Sequence, residues 1–220
     1  MVLLDDVVYN ETKEIALGKS KKSPMLIELA DWCMKVFSVN IVNIEFSKLK
    51  YPQAKSYRLL LIIESTEDFR KMYVDLLKPK EEYQRQIASE FQKIALKYKF
   101  AGEEQLENLF VTYNDFSEEA KTDANWKAAK EVKYFLKKKY SVVWDTLSMF
   151  SGSVVFYYCD LDIGMNENKG ISKLITDEYY SILKKYDELH YFTRANISLK
   201  FDSKENLDKN YKGNFLYYSR

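Results

Sequence analysis

Along the chain, apolar positions switch between a spacing of three to four residues and an alternation of two, and this pattern predicts the elements. Met25, Leu29, Trp32, Cys33 and Val36 share one face of a helix that opens at Ser23-Pro24, a hydroxyl cap followed by proline at the first helical position. Residues 41–46 and 59–63 read as the strands of a hairpin, joined through a turn at Tyr51-Pro52-Gln53. A short helix from Thr66 is interrupted at Lys78-Pro79, because proline disfavours the helical conformation for the residue before it. Tyr83, Ile87, Phe91, Ile94 and Tyr98 mark a stronger helix ended by Gly102, and 108–113 reads as a strand.

The second half repeats this order. Trp126, Ala129, Val132 and Leu136 define a helical face between Ser117 and Lys139. Residues 142–150 and 154–160 flank Ser151-Gly152, a hairpin signal. Ile171, Leu174, Ile175, Tyr179, Ile182, Leu183 and Tyr186 outline a long amphipathic helix. Ile197, Leu199 and Phe201 then alternate with polar residues, and 215–218 reads as a last strand after Gly213.

Each half, 1–115 and 116–220, thus reads helix, hairpin, helix, strand. With 3–9 as an additional strand, the first half takes the split βαβ order of a ferredoxin-like unit. The predicted class is α+β: mostly antiparallel sheet or sheets with helices packed on one face, with a duplicated ferredoxin-like unit as its specific form. The halves form two domains or one continuous one.

Composition narrows the function classes. The 34 basic and 33 acidic residues nearly cancel, whereas a nucleic-acid reader usually carries a basic surplus, so nucleic acid is not the expected partner. The opening MVLLDDVVYNETK lacks a basic stretch before its apolar residues, and no apolar run approaches membrane-spanning length. A cytoplasmic protein with no membrane partner is the expectation. Cys33 and Cys159 read as two buried free thiols.

No segment carries a specific catalytic motif. Gly18-Lys19-Ser20 resembles the end of a phosphate-binding loop but has Lys13 where the first glycine belongs, so it reads as a solvated basic loop. Asp160, Asp162 and Gly164 approximate a calcium loop with the glycine one place early and Ile171 at the position of the closing glutamate; a polar strand-to-helix connection explains them better. His190, the single histidine, is expected to cap a helix end, as are Lys137, Lys138 and Lys139. By alternation Asp145 shares a face with Val143, Leu147 and Met149, where a carboxylate needs a partner. Glu45 and Glu64 read as neighbours on the first hairpin, able to hold a divalent ion.

With 18 tyrosines and 13 phenylalanines, the leading expectation is a non-enzymatic protein-binding module. It would use Trp144, Tyr157, Tyr217 and Tyr218 as interaction residues, with no cofactor, metal or catalytic group. A bacterial immunity or regulatory protein that neutralises another protein is the specific form. The alternative is a metal-dependent hydrolase or nuclease built on Glu45, Glu64, Asp145 or Asp160.

Overall fold

Two three-stranded sheets organise the chain, one in each of two units, Met1–Ser117 and Glu118–Arg220. The computed structural model describes residues 4–49, 57–75 and 77–220. The first unit runs α1 (Asp6–Ala16), α2 (Pro24–Phe37), β1 (Ile41–Lys48), β2 (Tyr57–Ile63), α3 (Thr66–Lys71), α4 (Glu81–Lys97), the single turn α5 (Glu103–Leu106) and β3 (Leu109–Asp115). From there the chain passes into α6 (Phe116–Lys139), β4 (Val143–Met149), β5 (Gly152–Tyr157), α7 (Asp160–Asn168), α8 (Ile171–Leu183), β6 (Ser198–Ser203), α9 (Lys204–Tyr211) and α10 (Phe215–Tyr218). The turn expected at Tyr51-Pro52-Gln53 lies outside the described residues.

The strand order is β1-β2-β3 and β4-β5-β6, and in both sheets the first pairing is antiparallel and the second parallel. The sheets are therefore mixed, and neither is the four-stranded ferredoxin-like arrangement. Leu59 to Ile63 are all fully buried, which is why β2 reads as a continuous apolar run rather than an alternation. Leu59, Leu61 and Ile63 face α2 and α4, packing with Leu29, Ile87 and Phe91. On the other face Asn43 donates to Thr12 of α1 at 3.1 Å. Helices thus cover both faces, a correction to the one-sided expectation. In the second unit Val155 and Tyr157 pack against Val132, Leu136 and Tyr179 of α6 and α8. Val154 and Phe156 turn to the opposite face, where Leu207, Phe215 and Tyr218 cover them.

Both first strands carry a bulge at the same place. Val42 and Trp144 are the extra residues, since Ile41 pairs with Ile63 and Asn43 with Ile62, while Val143 pairs with Tyr157 and Asp145 with Phe156. The residue after each bulge caps its own bend: Asn43 Oδ1 accepts the Ile44 N–H at 2.9 Å, and Asp145 Oδ1 accepts the Thr146 N–H at 2.8 Å. The bulge reverses the parity of β4. Leu147 and Met149 consequently join Trp144 on the α9–α10 face, with Val143 on the other, so Asp145 does not share one face with all three.

A second repeated device lies at the carboxyl ends of the parallel pairs. Thr66 Oγ1 donates to Asp115 Oδ2 at 2.6 Å, and the Thr66 N–H donates to Ser117 Oγ at 3.2 Å. In the second unit Ser203 Oγ donates to the Asp160 carboxylate, and the Asp160 N–H donates to Glu205 Oε2 at 3.1 Å. The same positions are tied, with hydroxyl and carboxylate exchanged.

Three helices replace sequence expectations. Of the strand expected at 3–9, residues 6–9 belong to α1 instead and residue 3 lies outside the described residues; Asp5 accepts the Val8 N–H at 2.9 Å as an N-cap and Asp6 adds negative charge to the first turn. The connection at Asp160 to Gly164 is the helix α7, its start held by Asp162 accepting the Cys159 N–H at 3.0 Å. The last segment is α10 rather than a strand, since Asn214 caps it through the Leu216 N–H at 2.8 Å. Phe215 and Tyr218, three apart, face the core while Leu216 and Tyr217 point outward. Among the described residues no helix is long and apolar enough to cross a membrane.

Two outcomes follow from this packing. Thr66→Val leaves the buried Asp115 with one fewer donor and is expected to lower stability by about 1–3 kcal/mol, read as a lower urea midpoint. Cys33 is buried, its thiol pushed up to about 12 by desolvation, whereas Cys159 is exposed, contrary to the expectation of two buried thiols. A thiol reagent should therefore label one cysteine, Cys159, in the folded chain and reach Cys33 only after denaturant is added.

Candidate functional site

An open site in the second unit grows from a buried asparagine on α6. Both Asn125 amide protons are donated to the β4–β5 turn, to the Phe150 carbonyl at 2.8 Å and the Gly152 carbonyl at 2.6 Å. Its Oδ1 accepts from Tyr179 OH at 2.8 Å and Ser153 Oγ at 3.1 Å. Every polar atom of that amide is satisfied, so the turn is clamped from beneath. The two turn residues are Phe150 and Ser151, because Met149 pairs with Gly152. Phe150 takes φ 49°, a left-handed conformation costly for a bulky residue, yet its side chain is 62% exposed.

Beside this turn a cleft of about 380 Å³ opens along β6. Met149, Phe150 and Val154 supply apolar surface, Tyr211 and Tyr218 the aromatic wall, and Ser198 and Lys200 of β6 the polar side. Asp202 fixes the wall: it accepts Tyr218 OH at 2.6 Å and the Asn206 amide at 2.9 and 3.0 Å. Burial, then the bond to Asp202, raises the Tyr218 phenol pKa, so this hydroxyl stays protonated and donating. Tyr211 and Tyr218 meet edge-on at 4.9 Å.

Of the four aromatic residues singled out by sequence, Tyr218 lines this cleft. Trp144 is half-buried on the same face of the sheet, toward the other end of β4 and 6.0 Å from the Phe215 ring, and Tyr217 is 45% exposed on the outer side of α10. Tyr157 is fully buried and bonded to Ser172 at 2.9 Å, so as an interaction residue it is corrected to a core residue. Alternation puts one tyrosine of the pair Tyr157-Tyr158 outward, and it is Tyr158. Phe150, Lys200 and Asn125 escaped sequence reading. The hairpin signal at Ser151-Gly152 sits one residue late, since the turn residues are Phe150 and Ser151, so nothing in the sequence marked Phe150 as a turn residue.

The remaining candidates are occupied within the fold. Glu45 pairs with Arg58 at 2.6 Å, and Asp145 with Lys133 at 2.8 Å. Glu64 accepts from the Asn40 side chain, and Asp160 from Ser203. Glu45 lies opposite Leu60 whereas Glu64 follows the strand end beside Asn40, about 16 Å away along β1, which corrects their expected proximity. No group of three metal-ligating side chains occurs among the described residues. At Gly18-Lys19-Ser20 all three N–H groups are spent on α1 carbonyls, of Ile15 and Glu14, so the loop is a helix terminus without a phosphate cradle. His190 is exposed in the loop beyond α8, at φ 59°, rather than on a helix end.

A second cleft, of about 250 Å³, opens in the first unit beside β3, at the register positions that Ser198 and Lys200 hold in β6; there they are Phe110 and Thr112. Thr112 Oγ1 and Tyr113 OH are buried and meet no hydrogen-bond partner among the described residues. Each unit thus leaves an opening next to its third strand, and of these two the second unit's is the larger.

Comparison of the chain with protein-family models, with curated proteins and with solved structures returned no match.

Gly152 governs the shape of the larger cleft. A Cβ there would sit 2.8 Å from the Ser198 carbonyl oxygen and 2.9 Å from its Cβ. Gly152→Ala is expected to push β6 away and cost about 1–3 kcal/mol, visible as a lower thermal midpoint.

Proposed function

We propose that the chain is a non-enzymatic protein-binding module whose partner docks in the cleft beside β6. The observation that carries this reading is Phe150: an aromatic side chain held in a strained conformation at an exposed turn, above a buried network that fixes its backbone. Strain of this kind persists where the surroundings over-determine it, and it clusters at recognition surfaces. The cleft's apolar floor suits one inserted aliphatic or aromatic side chain of a partner. Lys200, exposed on its rim, suits a carboxylate beside that side chain. An immunity or regulatory protein that neutralises a partner by covering its surface fits this use, and two free cysteines fit a cytoplasmic setting. The metal-dependent hydrolase reading has less support, because its four carboxylates are each engaged inside the fold.

Phe150→Gly separates binding from folding. Glycine accepts the left-handed turn, so this variant is expected to be more stable by up to about 1 kcal/mol. It should nevertheless weaken partner binding about tenfold or more, as should Lys200→Glu. The measurement is capture of interacting protein by wild type and both variants side by side, with urea midpoints recorded in parallel. A partner held equally by all three would place the interface elsewhere, and no partner held by any would count against the module itself.

A further inference from the structure

A different surface points to a second class of ligand. On α6, Trp126, Lys130, Lys133, Tyr134 and Lys137 fall within an arc of about 100°, a stripe about 17 Å long on the helix's outer side. All five are exposed, Trp126 at 62% and Tyr134 at 66%. A solvated helix face ordinarily mixes both signs of charge, but between Trp126 and Lys137 this arc carries no acid; Glu119 and Asp123 lie on it nearer the helix start. Asp123 pairs with Lys127 at 2.6 Å, and Glu131 reaches Lys185 and the Tyr186 hydroxyl. Lys133 pairs with Asp145 at 2.8 Å, whereas Lys130 and Lys137 have no carboxylate within ion-pair distance among the described residues, and Lys138 lies 5.7 Å over the Tyr134 ring. Lysines in the last turn complement the helix dipole, which accounts for Lys137 to Lys139, and Asp145 accounts for Lys133, but neither explains Lys130, well before that turn.

We propose that this stripe of α6 binds single-stranded nucleic acid. Lys130 and Lys137 each neutralise a phosphate, and the two rings, about 12 Å apart along the helix, offer stacking platforms, Trp126 before the basic run and Tyr134 within it. Single strands are favoured over a duplex because exposed rings stack on base faces that a duplex hides. A membrane surface is a poorer fit: an interfacial helix must offer its apolar face to lipid, and Ala124, Ala128, Val132 and Leu136 of α6 are spent on the protein's own core. The near-zero net charge of the chain averages this stripe away.

The test is fluorescence anisotropy of a labelled oligothymidylate of about twenty nucleotides, titrated with the full chain across a potassium chloride series. Saturable binding is expected, weakening with salt at a logarithmic slope of roughly −1 to −2. The double variant Lys130→Glu/Lys137→Glu removes exposed, unpaired groups, so its urea midpoint should fall only slightly, through the charge reversed at the helix end. Its affinity should fall about tenfold or more, with a slope shallower by about 1–2. Trp126→Ala should weaken binding about fivefold or more and leave the slope unchanged. Lys35→Glu/Lys99→Glu, with the same change of charge elsewhere, should bind as wild type does. No saturable binding at low salt would overturn the proposal. So would an unaffected Lys130→Glu/Lys137→Glu variant, tighter binding of a duplex of equal length, or equal retention by phosphatidylserine vesicles or polyglutamate.

Discussion

The hydrogen bond between a hydroxyl and a carboxylate at the carboxyl end of each central strand is the constraint on which both units depend. Parallel strands cannot be joined by a tight turn, so β3 and β6 return to their sheets only after long helical excursions. Nothing local sets their register on arrival. A slip of one residue would send Val111 and Tyr113, or Leu199 and Phe201, to the wrong face of the sheet. Thr66 with Asp115, and Asp160 with Ser203, fasten the last residue pair in place, and the helices that start there inherit their direction from it.

The bulges at Val42 and Trp144 do complementary work on the antiparallel side. In the second unit the bulge turns Trp144, Leu147 and Met149 together toward α9 and α10, giving the sheet a second apolar face where simple alternation would have left polar side chains. The cleft beside β6 exists because this second face is only partly covered. Asp202 draws α9 and α10 over Val154 and Phe156, while the end near Phe150 stays open.

Much of the framework was legible in the sequence. Residues 59–63, the alternation at 197–201 and the helical face from Ile87 to Ile94 signal their elements strongly, because burial on a regular period leaves few alternatives. What was missed turns on single polar side chains. Asp5, Asp162 and Asn214 decide for a helix by capping, and the short apolar runs next to them fit either state. The parity of β4 was unreadable because an extra residue in a strand leaves no trace in composition. Tyr218 at the site, and Trp144 farther along the same sheet face, were visible as aromatic residues in a strand-like context. Tyr157 could not be told from Tyr158 without knowing which face was buried. Lys200 looked like any lysine of an alternating strand, and Asn125 like any polar helix residue.

The exchange of hydroxyl and carboxylate between the two units bears on how a chain with two look-alike halves finds its own pairings. If β3 were to dock beside β5, Asp115 would meet Asp160, two carboxylates in one joint. If β6 were to dock beside β2, Thr66 would meet Ser203, and neither hydroxyl would find the charged acceptor each now enjoys. The correct partners attract while the crossed ones repel or go unsatisfied. Two nearly identical architectures can therefore fold on one polypeptide, and in crowded solution on neighbouring copies, without trading strands.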